Sequence, residues 1–194
     1  MALPRLASGA PTNRNEVVSR RAVFLDRDGV INAPIVRDGK PYAPLSLDEM
    51  RILDGVPQAL AELRAAGYLN VLVTNQPDVA NGKTTRAVVE QMHSRLAQEL
   101  PIDAVKVCFH DDADNCACRK PKPGMLLEAA RELGIDMAKS YLVGDRWRDV
   151  GAAQAAGCKA LFIDYSYRER QPDLPYVRVK SLPDAAAFIT RNDR

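Results

Sequence analysis

Four consecutive apolar residues at positions 22–25 (AVFL) form a run too short for a helix and suited to a strand buried on both faces. Comparable runs recur at residues 68–73, 104–109, 141–143 and 160–163, with a last short one at 176–179. Between them the apolar residues fall at helical spacing. Residues 57–66 carry Ala59, Leu60 and Leu63 and stop at Gly67. Residues 84–100 open on Thr84 as a cap and place Val88, Met92, Leu96 and Leu100 at intervals of four. Residues 123–133 stop at Gly134, residues 149–156 stop at Gly157, and residues 183–189 form a closing helix. Residues 33–47 are rich in turn formers and read as a loop or small hairpin, with Ile35 and Val36 before the turn and Tyr42 after it. Strands alternating with helices predict an α/β fold: a central, mainly parallel sheet covered by helices on both faces.

That pattern places polar residues at one edge. Asp26, Thr74 and Asp145 each lie just past the carboxyl end of a predicted strand, the edge at which open α/β sheets bind ligands. Asp26 and Asp28 together at the end of a buried strand are costly unless a cation sits there. With Asp145 they would supply oxygens for Mg²⁺, which takes one or two carboxylates, waters and a substrate phosphate. Thr74 offers a hydroxyl and Lys120 a cation, a combination suited to a phosphoryl group in transfer. Asp-x-Asp-Gly alone reads equally well as a turn. The ordered set Asp-x-Asp-Gly, Thr-Asn, Arg-Lys-Pro and Gly-Asp-x-x-x-Asp, each in its structural context, points to a site.

Composition narrows the partners. The 194 residues carry a formal charge of +2, too small for nucleic acid or an anionic membrane to be the main partner. No apolar run approaches the ~20 residues that span a bilayer. Residues 1–21 hold four arginines against Glu16 and are expected to form a flexible basic arm ahead of a domain over residues 22–194. The N-terminus shows no continuous apolar block, so a cytoplasmic protein, acting as a monomer, is expected.

Three of the four cysteines lie within eleven residues, and one of the two histidines falls among them. Cys108, His110, Cys116 and Cys118 make a closed Cys₃His set suited to structural Zn²⁺, which would fix the loop before Arg119 and Lys120. Cys158 reads as a small buried hydrophobe. His93 reads as a structural or exposed helix residue. Trp147 is expected to pack into the interior. Lys83 and Arg86 are either a second phosphate site or a solvated helix end.

Residues 22–164 resemble the haloacid-dehalogenase-like phosphatases, with FLDRDGVIN as the first motif. The resemblance implies that Asp26 is a nucleophile forming an aspartyl-phosphate and Asp28 the acid/base. It implies that Thr74 and Lys120 contact the transferred phosphoryl group, and that Asp145 is a Mg²⁺ ligand. Asp149 matches a further acid of the fourth motif, with its role open. The cysteine cluster followed by Arg-Lys-Pro and Pro-Gly-Met resembles the small-cap branch with a zinc loop, which contains heptose-bisphosphate and histidinol-phosphate phosphatases. What this implies is a Rossmann-like three-layer sandwich without a large cap domain, hydrolysing a small phosphorylated metabolite. A heptose bisphosphate is the first expectation. Histidinol phosphate, another sugar phosphate, or a non-catalytic phospho-ligand-binding module are the alternatives. By the same analogy Arg119 contacts substrate, and Asn75 and Lys83 are further candidate substrate contacts. Arg146 stands where the heptose enzymes commonly carry lysine.

Overall fold

The computed structural model describes residues 19–192. Six parallel strands form the central sheet: β1 (Arg21–Leu25), β4 (Tyr68–Asn75), β5 (Ala104–Cys108), β6 (Tyr141–Gly144), β7 (Lys159–Ile163) and β8 (Val177–Val179), in the order β5-β4-β1-β6-β7-β8. A two-stranded hairpin, β2 (Ile35–Arg37) and β3 (Lys40–Tyr42), stands apart from it. Asp38 and Gly39 at its tip both have positive φ, 52° and 74°, as a tight hairpin turn matched to strand twist requires.

Five helices cover the sheet: α1 (Val56–Ala65), α2 (Arg86–Glu99), α3 (Gly124–Leu133), α4 (Trp147–Ala156) and α5 (Leu182–Arg191). Alternate strand residues face opposite layers. Val23, Leu25, Leu72, Val143 and Leu161 pack with Leu60, Leu63, Met92, Leu96, Ala185 and Ile189 from α1, α2 and α5. Ala22, Phe24, Val71, Val73, Leu142 and Phe162 pack with Met125, Leu126, Ala129, Val150 and Ala153 from α3 and α4. The result is the expected three-layer sandwich. Because both faces are covered, the strands read as continuous apolar runs rather than alternating ones.

The elements match the hydrophobic pattern with small displacements. The cap of α2 is Thr85, whose side chain accepts from the Val88 amide, whereas Thr84 donates to the Leu45 carbonyl. The buried face of α2 is Val89, Met92, His93 and Leu96, so Val88 is only partly covered and His93 is interior. Helix α4 begins at Trp147, two residues earlier than its apolar spacing predicts. The arm expected at residues 1–21 lies, for residues 1–18, outside the described residues. Arg21 already belongs to β1, and Arg20 bridges to Ile135.

One topological fact positions everything that follows. Strand β1 pairs with β4 on one side, in register from Arg21↔Tyr68 to Leu25↔Leu72, and with β6 on the other. The chain builds outward from β1 through β4 and β5, then returns to β1's other edge for β6. The crevice at such a switch point is where α/β sheets bind ligands. The connection from β1 to α1 holds only the hairpin, and the one from β4 to α2 only a short loop, so neither carries a cap domain. Among the described residues no helix is long and apolar enough to cross a membrane.

Candidate active site

The ends of β1, β4 and β6 open into a cleft of ≈ 340 Å³, which Asp26, Asp28, Asn75, Lys120, Asp145 and Asp149 help to line. Asp26 is one residue past β1 and still donates its amide to the Val143 carbonyl at 3.0 Å, which ties it to β6. Gly29 then turns the chain at φ +90°; a side chain there would put its Cβ 2.0 Å from Asp145 Oδ2, so this position is closed to other residues on both counts.

Lys120 enters from the loop between β5 and α3. Its backbone is held by Asn75, whose Oδ1 accepts the Lys120 amide at 3.1 Å and whose Nδ2 donates to the Lys120 carbonyl at 3.0 Å. The ammonium is 2 % exposed and spends its three donors fully: on Asp26 Oδ1 (2.8 Å), Asp149 Oδ1 (2.5 Å) and the Val73 carbonyl (2.8 Å). Burial opposes its charge, but Asp149 and Asp26 outweigh that and raise its pKa. Asp149 Oδ2 accepts the Arg146 amide at the start of α4, so this one carboxylate caps a helix and anchors the lysine.

Asp26, Asp145 and Asp149 bring one oxygen each within 4.8 Å of one another. Burial pushes Asp26 up to about 6 against the lowering effect of Lys120, and Asp149 and Asp28 add to the rise. Burial, then the charges of Asp26 and Asp149, push Asp145 well above the ordinary carboxylate range. Three buried carboxylates with one ammonium leave uncompensated negative charge, and Asp145 Oδ1 is buried without a hydrogen-bond partner among the described residues. A hard cation with oxygen ligands fits this donor set.

Asp28 is not part of that group, contrary to its expected place among the metal-binding carboxylates. Its carboxylate lines the same cleft but is held in a ring of donors. Arg27 Nε and Asn32 Nδ2 reach its Oδ1 at 3.0 and 2.9 Å, and Arg27 Nη2 and Gln76 Nε2 reach its Oδ2 at 3.0 and 2.9 Å. Burial alone would raise the Asp28 pKa, but the Arg27 charge and these hydrogen bonds outweigh it and hold the group below the usual range. Arg27 is itself fully buried, and its Nη1 faces Met92 Sδ at 3.6 Å and His93 Nε2 at 3.4 Å. Burial, reinforced by Arg27, pushes His93 down to about 4 and keeps it neutral.

The remaining expected residues divide. Thr74 is buried, and its Oγ1 accepts from Gln76 Nε2 at 2.9 Å. Lys83 lines the cleft and pairs with Asp78 at 2.9 Å. Arg86 does not reach it: its guanidinium pairs with Glu90 and lies 4.8 Å from the Phe109 ring centroid. Arg119 lines the cleft and pairs with Asp112 at 2.8 Å, as does Arg148 at 2.9 Å. Trp147 is not interior. It is partly exposed between the guanidiniums of Arg148 and Arg170, 4.7 and 4.9 Å from its ring centroid. Cys158 is buried in the layer beneath α4, and burial pushes its thiol to about 12.

Beside the cleft, Cys108 at the end of β5 meets His110, Cys116 and Cys118. Their ligand atoms also lie within 4.8 Å of one another. The Cys118–Cys108 and Cys118–Cys116 sulfur distances are 3.2 and 3.3 Å, Cys108–Cys116 is 3.6 Å, and His110 Nδ1 lies 3.4 Å from the Cys118 sulfur. None of these is a disulfide. The spacings approach the roughly 3.7 Å edge of a tetrahedron with 2.3 Å metal–sulfur bonds, so the set can hold one tetrahedral ion. The loop also holds Arg119, whose Nη1 donates to the His110 carbonyl at 3.2 Å. Gly124 is needed where α3 packs on this loop, since a Cβ would lie 2.4 Å from the Ala117 carbonyl oxygen.

A buried aspartate–lysine–aspartate arrangement at the switch point of a parallel sheet suits phosphoryl transfer. Residues 33–157 match the family of haloacid dehalogenase-like hydrolases. The chain belongs to that family and is a phosphoric monoester hydrolase. Among its relatives, D-glycero-beta-D-manno-heptose-1,7-bisphosphate 7-phosphatase of Yersinia pestis is 42% identical over 154 residues, covering 72% of this chain and 79% of that protein. The crystal structure of D,D-heptose 1,7-bisphosphate phosphatase from B. bronchiseptica, complexed with magnesium and phosphate, superposes with a TM-score of 0.77. It is 33% identical and covers 89% of this chain and 99% of that one. A putative HAD-like phosphatase from Mesorhizobium loti has a TM-score of 0.74 at 29% identity, covering 91% and 88%.

Sequence reasoning missed Arg27, Gln76 and Tyr167. Arg27 sits inside the first motif and Gln76 directly after Thr-Asn, so each had a positional signal. Tyr167 had none, and His93, read as structural or exposed, is the structural case. Tyr167 donates to Asp145 Oδ2 at 3.0 Å from a loop after β7 that no motif marks.

Proposed function

We propose that this protein is a Mg²⁺-dependent phosphomonoesterase that removes the C7 phosphate of a heptose 1,7-bisphosphate, with Zn²⁺ as a structural ion in its cysteine loop. The observation that carries the reading is the buried Asp26–Lys120–Asp149 chain beneath the unpartnered oxygen of Asp145. Asp26 and Asp145, with Asp149 adjacent, would hold Mg²⁺, and when bound it supplies positive charge against the transferred phosphoryl oxygens. Cys108, His110, Cys116 and Cys118 would hold Zn²⁺ and so fix the loop that carries Arg119 and Lys120.

Asp26 attacks phosphorus through a carboxylate oxygen while the ester bond breaks and the leaving alkoxide takes a proton from Asp28. Water then attacks the aspartyl-phosphate, gives its proton to Asp28, and frees phosphate and the Asp26 carboxylate. Lys120 offsets charge on the nucleophile and the entering phosphoryl group throughout. Asp28 in its present ring of four donors is poised as the base. To serve as acid it takes up a proton on one of these oxygens and displaces one of the four donors. On this reading Asn75, Arg119 and Lys83, which line the cleft, contact the substrate, and Thr74, buried beneath it, supports the phosphoryl end through Gln76.

The heptose assignment rests on the 42% identity to heptose-bisphosphate phosphatases and on the absence of a cap, which leaves the cleft open to a small polar substrate. A phosphate-release assay across heptose bisphosphates, other sugar phosphates and histidinol phosphate tests it. The expected ranking puts the 1,7-bisphosphate first by kcat/KM. Preference for histidinol phosphate would overturn the substrate, and no release from any of them would overturn the activity.

A further inference from the structure

Residues 165–169 follow β7 beside the cleft, which Glu169 lines. Their alternate side chains, Tyr165, Tyr167 and Glu169, each engage the wall of the site. Tyr165 donates its hydroxyl to the Gly29 carbonyl at 3.0 Å. Tyr167 donates to Asp145 Oδ2 at 3.0 Å. Glu169 receives the Arg146 guanidinium through both of its oxygens, with Arg146 Nε–Oε2 at 2.8 Å. The intervening Arg168 amide donates to the Gly39 carbonyl at 2.7 Å, which ties the segment to the hairpin. The two tyrosine rings lie 5.5 Å apart and support one another.

The consequence falls on Asp145. Gly29 makes room for this carboxylate, since a Cβ at that position would lie 2.0 Å from Oδ2. Tyr167 occupies that same Oδ2, and Oδ1 is left buried and without a hydrogen-bond partner among the described residues. A carboxylate pinned through one oxygen presents the other in a fixed direction, the way supporting hydrogen bonds orient metal ligands. We infer that Tyr167 is a positioning residue for the cation site: its hydroxyl holds Asp145 so that Oδ1 faces the space shared with Asp26 and Asp149, and residues 165–169 are the strap that carries it. The inference rests on the reading that Asp145 is a Mg²⁺ ligand.

The test is Mg²⁺ binding to the full-length protein by isothermal titration calorimetry, with no substrate present. Tyr167→Phe is expected to raise the Mg²⁺ Kd by at least about 10-fold, the scale on which such supporting partners act. Tyr165→Phe, which loses only a bond to a backbone carbonyl, is expected to stay within about twofold of wild type. In turnover, the Tyr167→Phe deficit should shrink as Mg²⁺ is raised, because the loss is in occupancy of the site. A folded Tyr167→Phe protein with unchanged Mg²⁺ affinity would overturn the inference, and a lowered Tm beside that unchanged affinity would make Tyr167 a plain buttress. If wild type binds no Mg²⁺, the Mg²⁺ reading of Asp145 falls as well, so the two failures are told apart by wild type alone.

Discussion

Replacing Lys120 with methionine keeps most of the side chain's volume and removes only its charge and donors. In the native protein that ammonium is 2 % exposed and is the shared partner of Asp26 and Asp149. Removing one partner of a buried ion pair costs about 3–5 kcal/mol, because the other charge stays behind uncompensated. The pair here is a triad, and a lost donor to the Val73 carbonyl adds to the deficit. For a chain of this size that corresponds to a Tm lower by roughly 6–20 °C. The loss has a pH signature. Asp26 already sits at about 6, above its unfolded value, so it favours the folded state most when protonated, and that contribution fades as pH rises through 6. Without the lysine the rise is larger, so the deficit should be greater at about pH 8 than at about pH 5. Urea denaturation of wild type and variant at both pH values, with and without Mg²⁺, reads all of this. Saturating Mg²⁺ should recover part of the loss, since it binds only the folded state. A Lys120→Met protein within about 1 kcal/mol of wild type at both pH values would refute the view that this lysine neutralises the site.

Further outcomes follow from neighbouring contacts. Asp26→Asn should abolish turnover while the protein stays folded, checked by circular dichroism; near-normal activity would sink the aspartyl-phosphate mechanism. His93 is neutral in the fold at about 4 and ordinary when unfolded, so its contribution is full above about pH 6.5 and is lost as pH falls toward 4, up to about 3 kcal/mol. His93→Gln should flatten that limb of the stability curve, and an unchanged curve would mean that the limb has another source. Elemental analysis should find close to one zinc per chain. Cys118→Ser should reduce it and loosen Arg119, seen as a larger rise in KM than fall in kcat. Full zinc content in that variant would remove Cys118 from the ligand set.

The strands and helices were legible because each is short, apolar and punctuated by glycine or a capping residue, as at Gly67, Gly134 and Gly157. The metal-suited cysteine loop was legible because its ligands are close in sequence. Asp26, Lys120 and Asp145 could be assigned to one edge because each directly follows a strand or a marked motif. The direction of a side chain after a turn could not be read. Asp28 was expected to share a cation with Asp26 and Asp145, but Arg27, Asn32 and Gln76 hold its carboxylate, and it lines the cleft outside the three-carboxylate group. Two adjacent threonines left the start of α2 ambiguous by one residue, and one residue of helix rotation decides that His93 is interior. Tyr167 reaches Asp145 across 22 positions of chain, from a segment whose composition resembles any polar loop. Trp147 shows the limit of residue-type reasoning: two arginines satisfy its ring at the surface.

The most direct test of the account follows the substrate itself. Purified protein with Mg²⁺ and D-glycero-β-D-manno-heptose 1,7-bisphosphate should, by ³¹P NMR, lose the C7 phosphate signal as inorganic phosphate appears and the C1 phosphate persists, with no change once Mg²⁺ is chelated. Loss of the C1 phosphate first, or no phosphate released with Mg²⁺ present, would contradict it.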